Sequence, residues 1–190
     1  MVRNPERRTA LLDAAIDVLA AQGARGLTFR AVDDQASVPV GTTSNYFPSR
    51  DELLRQAGEY VFVRLTPSPE AAAEMLAGPH DRDQERVLMQ TLLRHAEADR
   101  AGYLALFELR LEAVRRPQLR EAFAQQFRAN LDQIVHSHVE GGFPGDRTTA
   151  VLLYVAMSGL LLEHLTLPGV LGEEPIEDVV AALVTRIVPE

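Results

Sequence analysis

Helical spacing of the apolar residues, which continues along nearly the whole chain, constrains the fold most. Leu12, Ile16 and Leu19 show it in the first segment, where they recur at three- and four-residue intervals. No run of alternating apolar residues bounded by turn residues occurs, so no strand is predicted. Proline and glycine divide the chain into predicted helices at about 5–22, 28–36, 40–46, 50–65, 69–77, 82–98, 101–115, 117–140, 147–166 and 175–188. The prediction is an all-α protein of about nine helices, with a small N-terminal three-helix unit and a larger C-terminal helical bundle.

Residue types that carry catalysis or bind metals are missing or badly spaced. The chain has no cysteine, which excludes disulfides, Cys-ligated zinc, iron–sulfur clusters and thiol nucleophiles. No H-E-x-x-H, G-x-S-x-G or phosphate-binding loop occurs. His136 and His138 are two residues apart on a helix and therefore do not share a face. We predict no enzymatic activity, no cofactor and no metal site.

Charge is distributed unevenly between the two ends of the chain. The net charge of −8 argues at first sight against a nucleic-acid partner. Residues 1–50, however, carry six arginines against five acidic residues, whereas residues 51–190 carry thirteen arginines against 22 acidic residues. This asymmetry indicates that the two ends face different partners.

The longest nearly apolar run covers residues 150–162 and is interrupted only by Ser158. A helix needs about 20 apolar residues to cross a bilayer, so this run of 13 residues predicts a buried helix. The N-terminal residues lack the apolar segment of a secretory signal. We therefore expect a soluble, cytoplasmic protein with no membrane partner.

Residues 28–47 have the layout of a helix-turn-helix, in which one helix braces against the DNA backbone and the next enters the major groove. The second helix is almost wholly polar, lies between the apolar Val38 and Phe47, and is too short to be stable alone. Gly41 removes side-chain bulk where a helix N-terminus would approach a phosphate. Thr, Ser and Asn side chains can hydrogen-bond base edges. A solvated polar loop is the alternative interpretation.

Residues 6–55 resemble the DNA-binding domain of the TetR family of one-component transcriptional regulators. The residues that carry the resemblance are Ala14, Ala15, Leu19, Gly23, Gly26, Leu27, Thr28, Arg30, Val32, Ala36, Val38, Gly41, Tyr46, Phe47 and the run from Ser49 to Leu53. The resemblance implies a DNA-binding domain at residues 1–50. It also implies that residues 51–190 bind a ligand and dimerise.

Three positions depart from the family pattern. Asp33 replaces a small alanine, Ser37 replaces the turn glycine, and Ser44 stands where a tyrosine is common. A buried Asp33 would need a partner. Arg30 and Thr43 are the candidates.

The resemblance implies DNA contacts of two kinds, those that position the protein and those that specify sequence. The residues expected to hold phosphates are Thr28, Arg30, Tyr46 and Arg50. The residues expected to face base edges are Thr42, Thr43, Ser44 and Asn45. Arg3, Arg7 and Arg8 form either an arm toward the DNA or a solvated terminus.

Segment 147–166 is apolar around nearly its whole circumference and must be covered on all sides. Segment 175–188 is also rich in apolar surface. Both could be covered within one subunit, but we predict a homodimer in which the two segments pair with their copies. The predicted interface residues are Leu153, Met157, Leu161, Val180 and Leu183.

The resemblance also implies an effector pocket in the body. The predicted pocket residues are Phe62, Tyr103, Phe107 and Tyr154, each of which could instead be plain core. Their neutral, aromatic character favours a small, largely apolar molecule.

The leading hypothesis is a homodimeric, ligand-responsive regulator, in the first place a repressor. It would bind an inverted-repeat operator in double-stranded DNA and be released by its effector. The alternatives are a small all-helical enzyme or ligand carrier, and an interaction module without DNA binding.

Overall fold

The computed structural model of the chain describes residues 4–75 and 77–190. All regular elements in these residues are helices, ten in number. They correspond to the ten predicted segments, although the predicted count was about nine. They are α1 (Pro5–Gly26), α2 (Phe29–Gln35), α3 (Thr42–Tyr46), α4 (Arg50–Leu65), α5 (Pro69–Met75), α6 (Arg82–Ala98), α7 (Arg100–Arg115), α8 (Pro117–Glu140), α9 (Arg147–Thr166) and α10 (Ile176–Ile187). The all-α class and the helix-turn-helix followed by a helical body are confirmed.

Local sequence sets the helix starts. Asn4 accepts hydrogen bonds from two first-turn amides of α1, and Pro5 follows at a position where the missing N–H costs nothing. At α4 the Ser49 hydroxyl accepts from the Glu52 amide at 3.1 Å, as the S-x-x-E pattern predicts. Asp146 and Thr149 form a reciprocal capping box at α9. Polar residues between the apolar runs therefore mark where helices begin.

The first of two compact units contains α1 to α4, α7 and the first turns of α8. This unit comprises the described residues up to Thr66 and the segment Asp99–Ala124. Large side chains that are fully buried in it include Leu11, Ile16, Leu19, Leu27, Val32, Phe47, Leu53, Leu54, Val61 and Leu109. The predicted boundary at residue 50 lies within this unit, because α4 and α7 share a core with α1.

The second unit contains α5, α6, most of α8, α9 and α10. Its centre is formed where α6, α9 and α10 pack, with Leu153, Val184 and Val188 buried against Met89. The end of α8 is closed by Gly142 at a positive φ of 78°, where glycine has no steric penalty.

A buried acid–base pair lies in the second unit, between α6 and the end of α8. His138 Nδ1 is 3.4 Å from a Glu85 carboxylate oxygen, and both side chains are 5% exposed. Burial raises the pKa of Glu85, and the neighbouring His138 opposes that shift. The ring of Phe143 stacks on His138 and on His80, so the loop after α8 is packed against this pair.

Helix α9 has the predicted bounds, residues 147–166, and is 20 residues long. The 13-residue apolar run is therefore only part of the helix, which continues through Arg147 and His164. By length and composition alone it is sufficient to cross a membrane. Seven of its residues are buried, among them Leu153, Met157 and Leu161, because this side packs against α6 and α10. The predicted burial therefore holds for one side of α9, and the remaining residues of the helix are exposed or half-buried in the single chain.

Candidate nucleic-acid interface

The segment from α2 to α3 has the geometry of a helix-turn-helix. The hydroxyl of Thr28 accepts from the Ala31 amide at 3.1 Å and starts α2. The turn contains Ser37 at a φ of +53°, the only non-glycine residue with a positive φ in the described part of the chain. This left-handed conformation explains the glycine usual in the family at that position, since a side chain there costs about 1 kcal/mol.

Asp33, the unexpected acid on α2, is 1% exposed and bonded to the start of α3. One carboxylate oxygen accepts from the Gly41 amide at 2.7 Å. The other accepts from the Thr43 amide at 2.7 Å and from the Thr43 hydroxyl at 2.5 Å. Of the two partners considered for Asp33, Thr43 is confirmed. Arg30 lies instead 3.8 Å from Asp34.

The prediction that Thr43 faces a base edge is wrong. Its side chain is fully buried and its hydroxyl donates to Asp33, so it points into the unit. Ser44 and Asn45 are exposed, while Thr42 and Tyr46 are half-buried. The sequence could not separate these residues, because a five-residue polar helix has no apolar face to mark its inner side.

Arg50, expected to hold a phosphate, has backbone partners instead. Its Nε donates to the Leu27 carbonyl at 2.7 Å, and a terminal nitrogen donates to the Ala24 carbonyl. Arg50 thus ties the start of α4 to the end of α1. Among the other expected phosphate contacts, Thr28 is exposed and the Arg30 side chain is 79% exposed.

Arg8 is packed against the helix-turn-helix and does not extend as an arm. One terminal nitrogen lies 3.5 Å from the Tyr46 carbonyl at the end of α3. The guanidinium lies 4.9 Å from the centre of the Phe47 ring, a cation–π distance. Arg7 is exposed, and Arg3 lies outside the described residues.

Val40 is a candidate that the sequence analysis missed. It is 71% exposed and lies just before α3, next to Gly41 and Thr42. Apolar side chains at such a place can meet the thymine methyl group in the major groove. The signal in the sequence was an apolar residue two positions before a wholly polar helix.

Helix α4 is fastened at both ends within the first unit. Near its C-terminus Arg64 donates to both carboxylate oxygens of Asp99 at 2.7 Å and lies 3.4 Å from Asp17 of α1. These hydrogen bonds and nearby carboxylates raise the pKa of Arg64. Near its N-terminus Asp51 is 2.6 Å from Arg116, just after α7. A movement of α4 would therefore disturb α1 and α7.

The predicted effector residues are divided between the two units. Phe62, Tyr103 and Phe107 lie in the first unit and Tyr154 in the second. Phe62 makes an edge-to-face contact with Phe123, with ring centres 5.4 Å apart. Tyr103 is 9% exposed, and its burial raises the pKa of its phenol to about 12. Their role as ligand contacts stays a prediction.

An open surface pocket of about 340 Å³ lies elsewhere in the first unit. The residues that line it are Arg8, Leu12, Arg55, Gln56, Glu59, Tyr60 and Val63. None of them belongs to the predicted effector set.

The exposed apolar residues of α9 are not those predicted for the dimer interface. Leu153, Met157, Leu161 and Val180 are at most 5% exposed and form core within their own unit, while Leu183 is half-buried. The outward residues are Leu152, Val155 and Leu162, which are 50%, 58% and 43% exposed. Gly159 lies on the same side of the helix, and a Cβ added there would meet no atom within 4 Å. Together the four residues follow helical spacing along one face of α9.

Two family models match the chain. Residues 11–57 match the model described as bacterial regulatory proteins, tetR family. Residues 67–190 match the model described as the tetracyclin repressor-like, C-terminal domain. Together they cover both the helix-turn-helix and the helical body.

Two bacterial regulators show the likeness at the level of sequence. The HTH-type transcriptional repressor KstR of Mycobacterium tuberculosis is 38% identical over 77 residues, 40% of this chain and 35% of KstR. The HTH-type transcriptional regulator BetI of Rhizobium meliloti is 31% identical over 132 residues, 67% of this chain and 63% of BetI. The matches thus span less than two thirds of these relatives.

Among solved structures, the multidrug binding protein EbrR complexed with ethidium superposes with a TM-score of 0.69 at 29% identity, over 98% of this chain and 100% of EbrR. Its complex with malachite green gives a TM-score of 0.62 at 30% identity over the same shares. KstR and BetI are transcriptional regulators by name, and regulators of this family are not enzymes. From the two family models, this fold and the helix-turn-helix geometry, we conclude that the chain belongs to the TetR family of bacterial regulatory proteins.

Proposed function

We propose that the protein is a ligand-responsive transcriptional repressor. It acts in the cytoplasm as a homodimer on an inverted-repeat operator in double-stranded DNA, and a small, largely apolar effector releases it. The observation that carries this proposal is the polar outer face of α3, where Ser44 and Asn45 are exposed. The inner side of this helix is hydrogen-bonded to the carboxylate of Asp33. Repression is the activity that the name of KstR states for that relative.

The DNA surface that we propose differs from the sequence prediction. Thr42, Ser44 and Asn45 face base edges, and Val40 meets a thymine methyl group. The phosphate contacts are made by Thr28, Arg30 and Tyr46. Thr43 and Arg50 support the surface from inside the unit.

The homodimer is supported by the outward face of α9. Three large apolar side chains on one face, Leu152, Val155 and Leu162, are between 43% and 58% exposed, and a contiguous apolar face of this kind marks an interaction site. A second copy of the same face makes a closed two-fold interface. The two DNA-binding units of such a dimer match the symmetry of an inverted repeat.

A selection from random double-stranded DNA with the purified full chain tests the proposed function. Enrichment of an inverted repeat with half-sites about 10 base pairs apart, or a multiple of that spacing, is the expected result. The Ser44→Ala/Asn45→Ala variant provides the comparison, since its selected consensus should relax at the base pairs that these side chains read. A wild-type selection without any enriched sequence would favour a carrier, an enzyme or an interaction module.

Effector binding is expected to weaken operator binding through α4. A ligand shifts the equilibrium only if it binds the DNA-incompetent arrangement more tightly, and coupling of this kind usually changes affinity by about 5–150-fold. Neutral aromatic compounds and malachite green, which binds EbrR, are first ranked by the rise in melting temperature. Operator affinity is then measured by fluorescence anisotropy with and without each stabilising compound. Compounds that stabilise the protein and leave operator affinity unchanged would contradict the switch.

A further inference from the structure

The recognition helix α3 cannot hold itself in place. It has five residues, and its N-cap residue is Gly41, which provides no side-chain acceptor. The first amides of a helix have no partner within the helix and need acceptors from elsewhere. An isolated helix of this length is not stable in water. Other parts of the chain must therefore fix its position.

The acceptor is Asp33, which lies on the preceding helix and not on α3. Its two oxygens take the Gly41 amide, the Thr43 amide and the Thr43 hydroxyl at 2.5–2.7 Å. Hydrogen bonds to an ionised carboxylate are about twice as strong as neutral ones, and a negative charge is favourable at a helix N-terminus. The three bonds leave α3 little freedom to move relative to α2.

The other end of α3 is held by a charge of opposite sign. Arg8 of α1 reaches the Tyr46 carbonyl at 3.5 Å and packs over the Phe47 ring. A cation is favourable at a helix C-terminus. The two ends of the recognition helix are thus fixed by charged side chains from two other helices.

We propose that Asp33 is a positioning residue that sets sequence discrimination by fixing α3, with Arg8 as its counterpart at the other end. The inference rests on the proposed DNA-binding function. Asp33 is buried and touches no base. It acts through the orientation of α3, and so through the direction in which Ser44 and Asn45 point. Phosphate contacts from Thr28 and Arg30 do not depend on this orientation, because both residues belong to the start of α2.

The first test is Asp33→Asn, which keeps the shape and replaces one acceptor oxygen with an amide donor facing a backbone N–H. The ratio of affinities for selected operator and random DNA is expected to fall about 10-fold, the usual effect of one mismatched base pair. The affinity of Asp33→Asn for random DNA should equal that of the wild type or be slightly higher, because the variant loses a negative charge. Asp34→Asn is the matched control, since it removes the same charge from a neighbouring carboxylate that is 64% exposed; its ratio should equal that of the wild type.

The second test reads the hydrogen bonds themselves. Amide hydrogen exchange at Gly41 and Thr43, measured by NMR without DNA, should accelerate in Asp33→Asn and stay unchanged in Asp34→Asn. Thr43→Val, which loses the hydroxyl, should lower the discrimination ratio, and Thr43→Ser, which keeps it, should preserve the ratio. This pair decides the question if Asp33→Asn does not fold.

Two results overturn the inference. If the wild type discriminates and both Asp33→Asn and Thr43→Val keep its ratio, Asp33 has no role in specificity while the proposed function stands. If the wild type itself selects no sequence, the proposed function fails and this inference fails with it.

Discussion

Val155→Arg is expected to convert the protein into monomers and to lower operator affinity by at least about 100-fold, because a monomer holds only one half-site of a specific site. Val155 is 58% exposed on the outward face of α9, so arginine is accommodated in the single subunit without loss of core. In a two-fold interface the same substitution places two buried charges near each other, and unpaired buried charges are strongly destabilising. Sedimentation velocity gives the oligomeric state, and fluorescence anisotropy gives the operator affinity.

Val114→Arg is the matched control for this change. Val114 is 72% exposed on α7, so the same residue type becomes the same charge at a place outside the proposed interface. It should sediment and bind DNA as the wild type does. A dimer that persists in Val155→Arg would show that the outward face of α9 does not form the interface.

Operator affinity is expected to fall about 10³–10⁵-fold between 50 and 200 mM salt, as for proteins that make 6–10 phosphate contacts. Arg30 should account for part of this dependence. Its side chain is 79% exposed and lies 3.8 Å from Asp34, and an exposed pair of this kind is worth little, so the guanidinium is available to a phosphate. Arg30→Ala removes one contact per subunit. The slope of log affinity against log salt should therefore decrease in magnitude by about 2 for the dimer.

Arg94→Ala controls for the loss of positive charge. Arg94 is exposed on α6 of the second unit, and its removal should leave the slope unchanged. Anisotropy titrations at several salt concentrations measure both variants. An unaltered slope in Arg30→Ala would remove Arg30 from the phosphate contacts, and a flat slope in the wild type would argue against phosphate binding altogether.

Much of the fold follows from local sequence. The apolar spacing predicts the helices, and glycine and proline mark the breaks between them. Gly23 lies near the end of α1, Pro39 lies shortly before the start of α3, and the run from Thr66 to Pro69 follows the end of α4. The S-x-x-E pattern at Ser49 marks the start of α4. These signals are readable because capping, proline geometry and helical periodicity act over only a few neighbouring residues.

The sequence also limited the hydrogen-bonding partner of Asp33 to two candidates, Arg30 and Thr43. A carboxylate at a position expected to be buried requires a donor, and Thr43 was one of two candidates. The structure chose between them, because the Thr43 side chain turns inward while Arg30 stays on the surface beside Asp34.

Arg50 shows what residue type alone cannot tell. An arginine near a helix-turn-helix suggests a phosphate contact, but this side chain reaches carbonyls of Ala24 and Leu27. Those acceptors are more than 20 residues away in sequence, and only the packing of α1 against α4 brings them within range.

By itself the sequence determined the helical class, the helix starts, the helix-turn-helix and the resemblance to the family. Only the tertiary structure decided which side of each helix is inside. On α9, apolar residues surround the whole helix and no polar face marks the outside, so Leu153 and Val155 are equivalent until α6 and α10 cover one of them. On α3 the reverse holds, since polar residues surround the helix and only its contact with Asp33 turns Thr43 inward. Periodicity assigns a face only where the two sides of a helix differ.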